Sequence, residues 1–230
     1  TRILQQAVEE DILLSEVSDI REKHKHLGGR KLFDKVQTFM YDHHIKMGRD
    51  GFFDFLRENR LLVRKRKRYH VTTNSNHWMR KYPNLIKDIE PMGPNHVWVS
   101  DITYWKTKGG HYYISFITDA YSRKIVGYNV AKTMEAIESV AALKFALQKL
   151  NTPVTGLIHH SDRGSQYCSS KYVEMLKRNN IQISMTENGD PLENAIAERL
   201  NGIIKGEYLV DYKVNSLTEA KRVLEAVVNL

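Results

Sequence analysis

The sequence predicts an α/β fold: a mixed β-sheet, made of three antiparallel strands and then two further strands, flanked by helices and preceded by a small helical region. Three observations carry that reading. Apolar residues recur at three- and four-residue steps up to Leu62, which is the period of helices buried on one side. From His96 the period drops to two, the mark of strands. Thereafter the two periods alternate, giving the order strand, strand, strand, helix, strand, helix, strand, helix, which is the order of a layered sheet with helices on its faces.

The helical region begins with Asp11 to Arg21, where Ile12, Val17 and Ile20 form the apolar stripe, and continues with Arg30 to His44, where Leu32, Val36 and Met40 do so. A third helix, Arg49 to Leu62, carries Phe52, Phe53, Phe55, Leu56 and Leu61. The break at Met47 and Gly48 is short enough for a helix-turn-helix. Arg64, Lys65, Arg66, Lys67 and Arg68 follow at once. Such clusters are commonly solvated faces, but one placed directly after a compact helical hairpin is positioned to clamp a phosphate backbone, and DNA contact is expected there.

Residues 71–94 mix Thr, Asn, Ser and Pro with few periodic apolar positions and read as a linker, on which Trp78 and Tyr82 are expected to pack against a neighbour, base stacking being the alternative. The expected organisation is therefore 1–70 as a helix-turn-helix-like DNA-binding region with a basic end, 71–94 as linker and 95–230 as the α/β core. In the core, Val97, Val99 and Asp101 alternate with Trp98, Ser100 and Ile102. His111 to Thr118 and Lys124 to Val130 repeat the alternation, so three consecutive strands form an antiparallel meander. A helix over Met134–Leu150, a strand over Thr155–His160, a helix over Ser170–Arg178, a strand over Ile181–Met185 and a helix over Leu192–Tyr208 complete the order.

The 230 residues, 41% hydrophobic and 10% aromatic, suffice to bury a core. A formal charge of +8 and a pI near 9.4 point to a polyanionic partner, because a basic surface favours approach to phosphate whatever the base sequence. No apolar run reaches the roughly 20 residues of a bilayer span, and no charged-then-apolar leader opens the chain, so a cytoplasmic protein without a membrane partner is expected. The chain starts on Thr1, consistent with a processed, fused or trimmed product. A single cysteine, Cys168, excludes an internal disulfide and a thiolate zinc cage, and is expected to be a packing residue.

Three acids stand out. Asp101 lies in the middle of the apolar strand VWVSDITYW, where an isolated charge is expensive. Asp162 follows the strand ending LIHH, at the carboxyl edge of the sheet where ligands bind in open α/β folds. Glu198 lies in the last helix, whose other face carries Ile196, Leu200 and Ile203, and 35 residues separate it from Asp162. Taken singly, each has an ordinary structural role: a buried ion pair, a turn cap, a helix glutamate. Taken together on elements that a sheet can assemble, they form a hard oxygen-donor set that selects Mg²⁺, with Mn²⁺ as substitute. Two such ions about 3.5 to 4 Å apart serve in-line phosphoryl displacement. The chain offers no nucleophile elbow, phosphate loop or paired-histidine zinc helix as a rival chemistry.

Asn194 lies one helical turn before Glu198 and Lys205 two turns after it, so Asn194 is expected to orient the site or meet DNA and Lys205 to hold a DNA phosphate. Asp119 reads as a turn residue ordering the hairpin to Lys124, and Glu187, Asp190 and Glu193 as loop or helix-start charges. His159 and His160 are adjacent on a strand and point to opposite faces, so they do not ligate one ion together, and a core role is expected.

The segments VWVSDITYW, FITDAYSRKIVGY, HHSDRGSQY and SMTENGDPLENAIAERLNGIIKGEY resemble, in order, the blocks of two-reading-frame insertion-sequence transposases of type three, whose catalytic domain is shared with retroviral integrases. The resemblance implies an RNase H-like core with Asp101, Asp162 and Glu198 as the catalytic, metal-binding triad and Lys205 as the basic residue seven positions after the glutamate. It further implies that HLGGRKLF and GRDGFFDFLRENRLLVRKRKR belong to the helix-turn-helix-like segment. The enzyme so implied cuts double-stranded DNA at element ends and joins the freed 3′-hydroxyl to a target, as a homo-oligomer on paired ends, in a bacterial cytoplasm where it associates with the nucleoid. A second reading-frame product is an expected partner. Relatives carry Tyr-Asn and Arg-Pro-His segments after the last helix where this chain ends at Leu230, so a trimmed C-terminal lobe is expected. The rival expectations are a catalytically silent DNA-binding regulator and an RNase H-like nuclease that hydrolyses without joining.

Overall fold

The computed structural model describes residues 2–63, 76–150, 155–187 and 194–230, with the side chains of 2–6 excepted. Two compact units result: Thr1–Tyr69 with Gly206–Tyr208, and His70–Lys205 with Leu209–Leu230.

In the first unit, α1 (Arg2–Lys23), α2 (Gly29–Asp42) and α3 (Arg49–Glu58) enclose one apolar cluster. Helix α1 starts well before Asp11 because Gln, Ala and Glu precede it with no Gly or Pro to stop the helix. Its buried stripe holds Leu13 and Val17, whereas Ile12 is exposed, which corrects the expected stripe by one position. Leu32, Val36 and Met40 are buried as expected, and Phe52, Phe55 and Leu56 face them from α3. The Arg21 guanidinium ties the helix ends together, donating to the carbonyls of Leu27 at 2.7 Å and Leu61 at 3.2 Å. Arg64, Lys65, Arg66, Lys67 and Arg68 lie outside the described residues.

The second unit is built on a five-stranded sheet in the order β3-β2-β1-β4-β5. Strands β1 (Val97–Thr107), β2 (Gly110–Asp119) and β3 (Ile125–Ala131) are antiparallel, and β4 (Ile158–Ser161) and β5 (Gln182–Met185) extend the sheet in parallel from β1. The β1–β2 hairpin turns at Lys108 and Gly109, and Gly110 takes a φ of 116°, which a side chain rarely adopts. The β2–β3 turn is organised by Asp119 as expected: its carboxylate accepts from the Tyr121 and Asn95 amides at 2.8 and 2.9 Å.

Alternation along β1 assigns the two faces. Trp98 and Ile102 join α4 (Ala136–Gln148), α5 (Ser165–Cys168) and α6 (Ser170–Arg178) in the larger core, where Cys168 is buried as a packing residue. Val97 and Val99 face the other way, toward α7 (Ala195–Ile203). The predicted helix to Tyr208 is interrupted: α7 ends at Ile203, a π turn covers Ile204–Tyr208 and a 3-10 turn Leu209–Asp211. A further helix, α8 (Leu217–Val228), was not expected and packs beside β3. Its start carries a readable signal, Ser216 accepting from the Glu219 amide at 3.2 Å while Glu219 accepts from the Asn215 amide at 2.8 Å.

The segment read as a linker behaves differently from a spacer. The Met185 amide donates to the Pro83 carbonyl at 3.2 Å and the Leu85 amide to Ser184 Oγ at 2.8 Å, so the chain covers the open edge of β5. Met79 and Tyr82 pack on the larger core and Leu85 and Ile86 on the opposite face. Tyr82 thus packs as expected, while Trp78 does not and is 95% exposed.

Candidate active site

Register brings the first two acids together. In the parallel pair of β1 and β4, Ser100 stands opposite Ser161, so Asp101 and Asp162 are the next residues along adjacent strands. Parity puts both on one face: Asp101 follows Val97 and Val99, and Asp162 follows Ile158, all on the side packed by α7. Neighbouring strands lie about 4.8 Å apart, which sets the scale of the carboxylate separation.

Two asparagines dock α7 on this edge. Asn194 Nδ2 donates to the Ser100 carbonyl at 3.1 Å, and Asn201 Nδ2 donates to Asp101 Oδ2 at 2.7 Å. They stand seven positions apart, so they share the helix face that also presents Glu198, which is exposed to solvent. The buried residues along α7 and its two ends are Asn194, Ala197, Asn201 and Ile204, while Ile196, Leu200 and Ile203, expected on the other face, are half-buried, with Ile196 packed on the same cluster as Ala197. Polar residues win these positions because β1 offers a carbonyl and a carboxylate for their amides. Asn194, expected as an orienting or DNA-contacting residue, is buried and its amide is committed to β1. Asn201 was missed in the sequence, although its position three residues after Glu198 is a signal that could have found it.

Asp101 is held at both oxygens, Oδ1 accepting from the Ile102 amide at 2.8 Å and Oδ2 from Asn201. Burial first, then the Asp162 charge and to a lesser degree Glu198, nevertheless push its carboxyl up to about 7, with the two hydrogen bonds pulling the other way. Glu198 is raised by burial and by Asp162. Asp162 Oδ1 accepts from the Gly164 amide at 2.9 Å, and a Cβ on Gly164 would stand 2.9 Å from that oxygen. Asp101 is thus raised by the charges of Asp162 and Glu198, and Glu198 by that of Asp162. Among the described residues no three His, Cys, Asp or Glu side chains are gathered closely enough to hold an ion as they stand.

Lys205 lies in the π turn with its ammonium 3.9 Å from the Tyr104 ring centroid on β1. His159 Nε2 contacts Ser100 Oγ at 2.7 Å and Tyr172 OH at 2.9 Å, and His160 Nδ1 contacts Ser184 Oγ at 2.8 Å. Both are core imidazoles on opposite faces, and burial pushes His159 down to about 3. Glu187 accepts from the Asn84 amide at 3.2 Å, and Asp190 and Glu193 lie outside the described residues.

Two models described as integrase core domain match residues 91–191 and 179–229. An uncharacterized 31 kDa protein of insertion element IS600 from Shigella sonnei is 36% identical over 85% of this chain and 72% of its own. The chain belongs to the integrase-core transposase family of type-three insertion sequences. Transposase InsF of insertion sequence IS3A from Escherichia coli is 29% identical over 83% of this chain and 67% of its own. In three dimensions a chain of the simian T-cell lymphotropic virus intasome, solved in complex with PP2A regulatory subunit B56 gamma, superposes with a TM-score of 0.52 at 18% identity over 92% of this chain and 66% of its own. That likeness is one of fold, the RNase H-like sheet of this family. The sequence blocks that carry the family resemblance are the ones that form β1, β2, the β4 edge and α7.

Proposed function

We propose that this transposase cuts a DNA strand at insertion-sequence ends and joins the freed 3′-hydroxyl to a second phosphodiester, with Asp101, Asp162 and Glu198 holding divalent cations. The single observation that carries the reading is the placement of Asp101, within β1, and Asp162, just past the end of β4, side by side on adjacent parallel strands, against a helix face that presents Glu198 and is docked through Asn201. The donor set fits a hard divalent cation such as Mg²⁺ or Mn²⁺: three carboxylates, one of them pushed up to about 7 by burial and like charge, lose that electrostatic cost when a cation neutralises them. When bound, two ions activate the attacking oxygen and steady the leaving one.

Asn201 and the Ile102 amide fix the Asp101 carboxylate, and the Gly164 amide fixes that of Asp162, so two of the three ligands are oriented before DNA arrives. Lys205, steered by the Tyr104 ring, supplies a cation for a DNA phosphate. In cleavage a water oxygen bonds to phosphorus as the strand's 3′-oxygen departs. In transfer that 3′-hydroxyl oxygen bonds to the target phosphorus as a second strand oxygen departs, so each P–O bond made replaces one broken. The helical unit and its basic end, Arg64 to Arg68, contact the duplex, with 71–94 joining it to the core. A homo-oligomer on paired ends, assisted by a second reading-frame product, is the working assembly, acting in the cytoplasm on nucleoid DNA.

Asp162→Asn is expected to abolish Mg²⁺-dependent cutting of labelled element-end DNA while binding persists. Unchanged cleavage rejects the assignment. A strand-transfer assay with a pre-cut end then separates joining from simple hydrolysis.

A further inference from the structure

Trp78 is an anomaly in a chain that hides its other tryptophans, Trp98 at 0% and Trp105 at 4% exposure, while Trp78 stands at 95%. A lone exposed apolar residue is ordinary; one held rigidly beside reacting groups is not. His77 Nε2 donates to the Arg163 carbonyl at 2.8 Å, one residue from Asp162, and Met79 packs into the larger core. The residues on both sides of Trp78 are therefore anchored, His77 and Met79 being half-buried while Trp78 and Arg80 are exposed. Cations follow the ring in the sequence: Arg80 is exposed with its guanidinium 5.1 Å from the Tyr82 centroid, and Lys81 beside it is exposed.

An outward indole flanked by basic side chains is the composition of a surface on which nucleobases stack, cations tracking the backbone while the ring takes a base of any identity. Duplex bases are already stacked, so the surface suits a base freed from its partner. We propose that Trp78 is a stacking platform for an unpaired nucleobase of the DNA strand engaged at the Asp162 edge. This rests on the reading of that edge as a DNA-cutting centre.

The full-length chain can be tested with an oligonucleotide duplex carrying an unpaired thymine tail and with the same duplex blunt-ended. Because Trp98 and Trp105 are buried, tail binding should quench an emission that belongs to Trp78, and Trp78→Phe should lose the quenching while keeping the preference for the tail. Trp78→Ala should weaken tailed-duplex binding about ten-fold and leave blunt-duplex binding unchanged, with the melting temperature confirming that the exposed position does not affect folding. Equal losses on both duplexes, or no loss on either, overturn the platform. Asp162→Asn assayed in parallel keeps the two claims apart: cleavage lost in Asp162→Asn with tail binding intact in Trp78→Ala removes the platform alone, whereas a wild type that neither binds nor cuts these DNAs removes both.

Discussion

At the residue scale the site depends on who holds each carboxylate. Asn201 gives Asp101 a short hydrogen bond while the side chain's own Oδ1 has no partner among the described residues. Hydrogen bonds to charged groups are worth about 1.5–3 kcal/mol. Asn201→Ala should therefore lower cleavage about ten-fold or more and raise the Mg²⁺ concentration for half-maximal activity, both readable from one metal titration. An unchanged midpoint would remove Asn201 from the positioning role. Asp101 and Asp162 were legible from sequence because an acid in an apolar strand and an acid at a strand's carboxyl end violate the local pattern. Asn201 was not, since an asparagine in a helix breaks no strong rule until its partner across the sheet is known.

At the element scale, close approach sets what the chain tolerates. A Cβ on Gly127 of β3 would stand 2.5 Å from the Ala142 carbonyl oxygen and 2.7 Å from the Ala146 Cβ, so α4 lies against bare backbone there. Gly127→Ala should destabilise the chain by about 1–3 kcal/mol, as overpacking does. Urea unfolding checks this, and a variant as stable as wild type would mean that α4 moves away at little cost. Strand and helix identities in the meander and around α4 and α6 were readable because hydrophobic period and length both favour one answer. The π turn after Ile203 was not, because the sequence there continues to look helical.

At the scale of the whole molecule, the core is sensitive to acid through His159. Burial, followed by the neighbouring His160, holds this imidazole at about 3 against an ordinary 6.5. The folded state thus excludes a proton that the unfolded chain accepts, so the associated stability is complete above about pH 6.5 and is lost as pH falls through about 3. Wild type should lose about 1.4 kcal/mol per pH unit over that window relative to His159→Gln, in which the titrating group is absent. Parallel stability curves for the two proteins would show that His159 is not buried neutral.

The sequence by itself determined the layer architecture and the basic character and singled out three acids as candidates, because periodicity, net charge and rule-breaking residues are local properties of the chain. Only tertiary structure decided that Asn201 grips Asp101, that Asn194 is a buried clamp, that 76–94 covers the β5 edge and that Trp78 is left in solvent. Each of those depends on what stands opposite the residue in space. A side chain's partner across a sheet is fixed by register and helix docking, and these are set by the packing of the whole unit.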